Sequence, residues 1–72
     1  MAKRKFDDLP LAYLDGWQSH KNNVPRTRNP YPVMTQFASH EAWVEGWIGR
    51  QYDVKNNVDT REMDEYAPRF AV

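Results

Sequence analysis

There is no cysteine anywhere in this chain. No disulfide can staple it, and a structural zinc site would have to combine its two histidines with carboxylates, an uncommon set. A thiol-free chain fits a reducing compartment. Glycine is scarce, with three residues, and Gly16, Gly46 and Gly49 fall in helical patterns, so no phosphate-cradling glycine loop is present. Net charge is also absent, ten Lys/Arg standing against ten Asp/Glu. A neutral chain gains little non-specific affinity for polyanions, because that affinity comes from counterions released by excess cations. No apolar run approaches the roughly 20 residues of a membrane span. The basic opening, Met1 to Lys5, is followed by Asp7 and Asp8 rather than by an apolar stretch. Export is therefore not expected, and the cytoplasm is the expected location.

What the chain has is aromatic surface: three Trp, four Tyr and three Phe among 72 residues. A domain this short buries only about 60 % of its unfolded surface. The aromatics, each able to bury on the order of 150–250 Å², are the natural source of a core.

The expected fold class is all-α: a small core of two crossed helices joined by a proline-rich extended strap, plus a short C-terminal helix. Residues 8–21 carry Leu9, Ala12, Tyr13, Gly16 and Trp17 at helical spacing, with Asp7 or Asp8 as cap and Pro10 in the first turn. Asn22-Asn23 offers a left-handed stop before Pro25. In residues 22–37, Pro25, Pro30 and Pro32 favour extended backbone, with Val24, Tyr31, Val33, Met34 and Phe37 as apolar anchors. Residues 39–52 read as the second helix, capped by Ser39 with Glu41 in its first turn. One stripe holds Ala42, Trp43, Gly46, Trp47 and Arg50, and a second holds Val44, Ile48 and Tyr52. Two apolar stripes imply two partners. Asn56-Asn57 marks a turn, and Asp59 with Glu62 resembles a capping box for a helix from Thr60 to Ala67, stopped by Pro68. Met63, Tyr66 and Phe70 are expected to dock on the second stripe, or else to wait for a partner. Residues 1–52 thus form a helical core with a basic arm, and residues 53–72 an acidic extension.

Tyr13-Leu14-Asp15-Gly16-Trp17 is echoed by Trp43-Val44-Glu45-Gly46-Trp47. Glycine inside a helix costs about 1 kcal/mol against alanine. Close approach of an antiparallel or steeply crossed helix pair would offset that twice. Gly16-Trp17, then Asn29-Pro30-Tyr31-Pro32, then Trp43 with Gly46-Trp47 resemble, in order and spacing, the ribosome modulation factor family of very short bacterial and phage proteins. The resemblance covers roughly residues 8–52. It implies two helices with an extended linker, binding to the small ribosomal subunit near the end of its RNA, and ribosomes held in inactive dimers. The founding members are strongly basic and carry cysteine where this chain has Asn29. They commonly place a second glycine where Gln18, Ser19 and His20 follow here.

Catalysis is not expected, since no Ser, Thr or Cys sits in a nucleophile motif, and neither a cofactor nor a metal site is read from the residues. His20, at the end of the first helix, is placed to favour its charged form by the helix dipole. The residues for an RNA or ribonucleoprotein contact are Lys3, Arg4, Lys5, Lys21, Arg26, Arg28 and Tyr31, the cations for phosphates and the ring for a base. The alternative is a phage- or plasmid-type inhibitor of a host protein complex that works on nucleic acid. It would act through the acidic element Asp59, Glu62, Met63, Asp64, Glu65 and Tyr66, with carboxylates standing in for phosphate. Residues 1–50 hold seven Lys/Arg against five Asp/Glu, and residues 51–72 hold three against five, so the two readings sit at opposite ends. Homodimerisation is a further expectation, because small aromatic-rich helix pairs often complete a core between copies.

Overall fold

A computed structural model describes residues 9–70, and of Phe70 the backbone only. Three helices, and no strand, are present among the described residues: α1 (Leu11–Lys21), α2 (Phe37–Lys55) and α3 (Arg61–Phe70), with a 3-10 turn at Arg26–Arg28.

Both long helices end in the same way. Asn23 and Asn57 take the left-handed conformation, with φ of 63° and 59°. After α1, Asn23 donates to the His20 carbonyl and Val24 to that of Ser19; after α2, Asn57 donates to Val54 and Val58 to Asp53. These paired bonds are the Schellman arrangement, and asparagine tolerates the left-handed residue better than most side chains. The repeated Lys-Asn-Asn-Val at 21–24 and 55–58 therefore encodes one stop used twice.

The helix starts differ from expectation. α1 begins after Pro10, whose extended backbone makes it the N-cap and whose carbonyl accepts from Leu14. Asp7 and Asp8 lie outside the described residues. α2 begins at Phe37 with Gln36 as cap and no capping side-chain bond, so Ser39 lies inside the helix and Glu41 beyond its first turn. α3 runs through Pro68 to Phe70. Its start is organised by Asp59, which accepts from the Arg61 backbone N–H, and by Thr60, whose hydroxyl donates to Asp64.

The α1–α2 contact is built on the two echoed glycines. A side chain at Gly16 would strike the Trp43 carbonyl oxygen, with the carbonyl carbon 2.8 Å away. One at Gly46 would strike the Tyr13 carbonyl oxygen, with that carbonyl carbon 2.9 Å away. Each glycine thus admits the other helix's backbone, the small-residue device for close helix contact. Ala12 and Ala42, each one turn earlier, line a shared groove, and at the other end His20 meets Trp47 and Arg50. Contacts advance in the same sense along both helices, so the pair is not antiparallel. The fifteen residues 22–36 carry the chain back to the start of α1, a return that a tight turn could not make.

That connection is not extended throughout, because Arg26–Arg28 coil into the 3-10 turn and residues 33–35 turn again. Its apolar anchors also divide. Val24 and Tyr31 are half-buried, whereas Val33, Met34 and Phe37 are exposed, Met34 by 91 %. Asn29 holds the middle: its amide donates to the His40 carbonyl and its carbonyl accepts from the Tyr31 N–H, while the His40 ring bonds the Tyr31 carbonyl.

The docking of α3 corrects the sequence reading. Met63 and Ala67 are buried against Leu14 and Trp17 of α1, with Leu9, Tyr13 and Tyr66 at the margin. They do not cover Val44, Ile48 and Tyr52 of α2, and Ile48 and Tyr52 stay exposed. The Phe70 side chain lies outside the described residues. Polar bonds fix the choice. Asp64 accepts from the Trp17 indole at 2.7 Å, from Arg50 through both carboxylate oxygens at 2.9 and 3.0 Å, and from Thr60 at 3.0 Å. One carboxylate ties the three helices together. A paired Arg–carboxylate fork is the strong form of such a contact, and it needs neighbours that satisfy its remaining lone pairs.

Candidate nucleic-acid interface

From Gly16 to His40 the chain contains no Asp or Glu, and its cations are Lys21, Arg26 and Arg28. The fold gives this stretch a fixed base. The Trp47 indole donates to the Val24 carbonyl at 2.7 Å, fastening the end of α1 to α2. Pro25 then caps the 3-10 turn, where Arg28 donates to the Pro25 carbonyl at 2.9 Å. Lys21, Arg26, Thr27 and Arg28 are all exposed. Among the described residues neither arginine forms an ion pair. A 3-10 turn has three residues per revolution, so Arg26 and Arg28 project roughly 120° apart and do not follow successive phosphates as an extended segment would. Lys3, Arg4 and Lys5 lie outside the described residues.

Tyr31 stands apart from these cations. It is half-buried and lines an open apolar groove of about 410 Å³ with Pro10, Leu11, Ala12 and Ala42, at the other end of α1 from Lys21. Burial raises the pKa of its phenol, and the nearby Asp15 carboxylate adds to the rise. The ring is an anchor of the connection more than an open stacking surface. Asp15 is itself half-buried, which raises its pKa. The neighbouring Trp43 indole lowers it in part, although that buried N–H makes no hydrogen bond of ordinary geometry.

The acidic element is partly consumed by the fold. Met63 is 3 % exposed and Asp64 holds its four bonds inward, so neither is presented to a partner. Asp59 faces solvent but grips Arg61 twice through side-chain bonds, which, with the Arg61 backbone N–H, bring its pKa down to about 2. Glu62 and Glu65 are exposed, and with Tyr66 and Arg69 they line a shallow groove. The pair that remains is too sparse to copy a run of phosphates.

His20 departs from its expected charged state. Its ring sits edge-on to Trp47, with centroids 4.8 Å apart, and Nδ1 lies 3.0 Å from the Arg50 guanidinium, which can only donate. Burial and then the Arg50 charge lower its pKa, and Asp64 opposes them. Helix-end placement was visible in the sequence; the facing guanidinium, thirty residues away, was not. Arg50 and Asp64 are likewise the residues whose joint role sequence reasoning missed. No local pattern marks them, since Arg50 reads as part of an inner stripe and Asp64 as one of several surface acids.

Among the described residues no group of three His, Cys, Asp or Glu is gathered for a metal, and no helix is long and apolar enough to cross a membrane. In comparisons with protein-family models, with curated proteins and with solved structures, nothing matches this chain.

Proposed function

We infer that this is a non-catalytic cytoplasmic binding protein of the ribosome modulation factor type, which associates with RNA of the ribosome and modulates translation. The observation that carries the reading is the acid-free stretch with Lys21, Arg26 and Arg28 exposed on a fastened turn and no acidic partner for either arginine among the described residues. On this reading the proline-rich connection is the stiff strap that presents the cations, and the glycine contact sets the crossing that holds both of its ends. The resemblance in Gly16-Trp17, Asn29-Pro30-Tyr31-Pro32 and Trp43 with Gly46-Trp47 supports the same class. Binding through the acidic element is the weaker reading, because Met63 and Asp64 are turned inward.

Co-sedimentation with purified small ribosomal subunits over a salt series tests it. Three phosphate contacts correspond to a slope of about −2 to −3 in log K against log salt. Replacing Arg26 and Arg28 by alanine is expected to weaken binding and flatten that slope by about 1.5 to 2. Binding that ignores both salt and the substitutions, or no binding at low salt, refutes the assignment.

A further inference from the structure

We propose that the outer face of α2 is a dimer interface, occupied by the same face of a second copy running antiparallel. α3 packs on α1, so among the described residues it leaves the second apolar stripe of α2 uncovered. Phe37 is 61 % exposed, Ile48 39 % and Tyr52 64 %, and Val44 is half-buried between them. With 3.6 residues per turn, Phe37, Glu41, Val44, Ile48, Tyr52 and Lys55 fall on one face, opposite the face that carries Trp43, Gly46 and Arg50. The helix is 19 residues long, about 28 Å, enough for several layers of side chains.

The pattern names its own occupant. Val44 and Tyr52 each lie four residues from Ile48, and Glu41 and Lys55 each lie seven. A two-fold axis through Ile48 therefore sets Ile48 on Ile48, Val44 on Tyr52 and Glu41 on Lys55, each of the last two pairs occurring twice. Phe37 reaches the segment just past the partner's helix end, where Val58 is 48 % exposed. Such self-complementarity is what a closed two-fold interface requires. A parallel arrangement would instead set Glu41 on Glu41 and Lys55 on Lys55, and like charges in register disfavour it. The cations at Lys21, Arg26 and Arg28 lie off this face, so a dimer would present two basic turns and bind RNA with avidity.

Sedimentation equilibrium on the full chain gives the stoichiometry, and cysteine pairing gives the register, on a background free of native cysteine. The expected result is a dimer in which Val44→Cys mixed with Tyr52→Cys forms an intermolecular disulfide, while Val44→Cys alone does not. Ile48→Glu is expected to raise the dimer dissociation constant by about a hundredfold or more, since an interface centre carries most of the binding energy. Its circular dichroism should stay that of the folded wild-type monomer at dilution. Glu41→Lys alone should weaken the dimer roughly tenfold, and adding Lys55→Glu should restore it. A monomer at millimolar concentration overturns the proposal, as does a dimer in which Val44→Cys pairs with itself or in which the charge swap fails to rescue.

Discussion

Gly46→Ala adds a single methyl group at the point where α2 meets α1. That carbon would overlap the Tyr13 carbonyl oxygen and lie 2.9 Å from its carbon and 3.1 Å from the Trp17 backbone nitrogen. Ordinary contacts need about 3.5 Å. All three obstacles are backbone of another helix, so no rotamer change relieves them, and the helices must part by roughly an ångström. Overfilling a packed site costs about 1–3 kcal/mol, and here the upper end applies because nothing soft can yield. Parting the helices also strips contacts from Trp17 and Trp43, both essentially fully buried. Alanine's better helix propensity offsets about 1 kcal/mol. The net loss is about 2 kcal/mol, which lowers Tm by roughly 8–16 °C in a domain of this size. Gly49→Ala is the control. Its methyl would lie 3.0 Å from the Tyr13 hydroxyl, the far end of a side chain, so Tm should hold or rise. Thermal denaturation followed at 222 nm reads both. A Gly46→Ala protein that melts with or above the wild type refutes the backbone-contact argument.

Further outcomes follow from the same geometry. Asp64→Asn removes the charge that satisfies Arg50, whose side chain is only 14 % exposed, and should cost about 2–3 kcal/mol in urea denaturation, more than Asp59→Asn at the exposed Arg61 pair. In the pH profile, His20 has a folded pKa below its unfolded value near 6.5, so the unfolded chain binds the extra proton and stability should fall as pH drops below about 6.5, a step absent from His20→Gln. For Asp64, burial raises the pKa but the Arg50, Trp17 and Thr60 bonds outweigh it, so the folded pKa lies below 3.8 and its contribution, complete above that pH, should be lost on further acidification. Deleting residues 53–72 strips Met63 and Ala67 from Leu14 and Trp17, so the deletion should unfold the domain; Glu62→Gln with Glu65→Gln is the clean probe of the acidic element and should leave ribosome binding intact.

Local features of the fold were legible because they rest on local causes. Asn22-Asn23 stops α1 through one residue's tolerance of the left-handed region, and Gly16 and Gly46 implied the close contact because an interior glycine needs one. The α3 docking was not legible. Met63 and Tyr66 match the spacing of Val44, Ile48 and Tyr52 as well as they match α1, and what decides between the two is a carboxylate meeting Trp17 and Arg50 from two other helices. Val33, Met34 and Phe37 failed as anchors because an apolar side chain carries no information on whether anything covers it. At the candidate interface, Lys21, Arg26 and Arg28 were legible as cations in a stretch without acids. Their coiled turn and the separation of Tyr31 depend on Val24 and Asn29 being held by Trp47 and His40, contacts that only the fold creates.

The most direct test of the central claim is an affinity pull-down of the tagged protein from bacterial lysate, at low and high salt, with and without nuclease. Ribosomal subunits retained at low salt, and released by nuclease or by high salt, are the predicted result. A single protein or complex held through both treatments, with no ribosomal RNA, contradicts it.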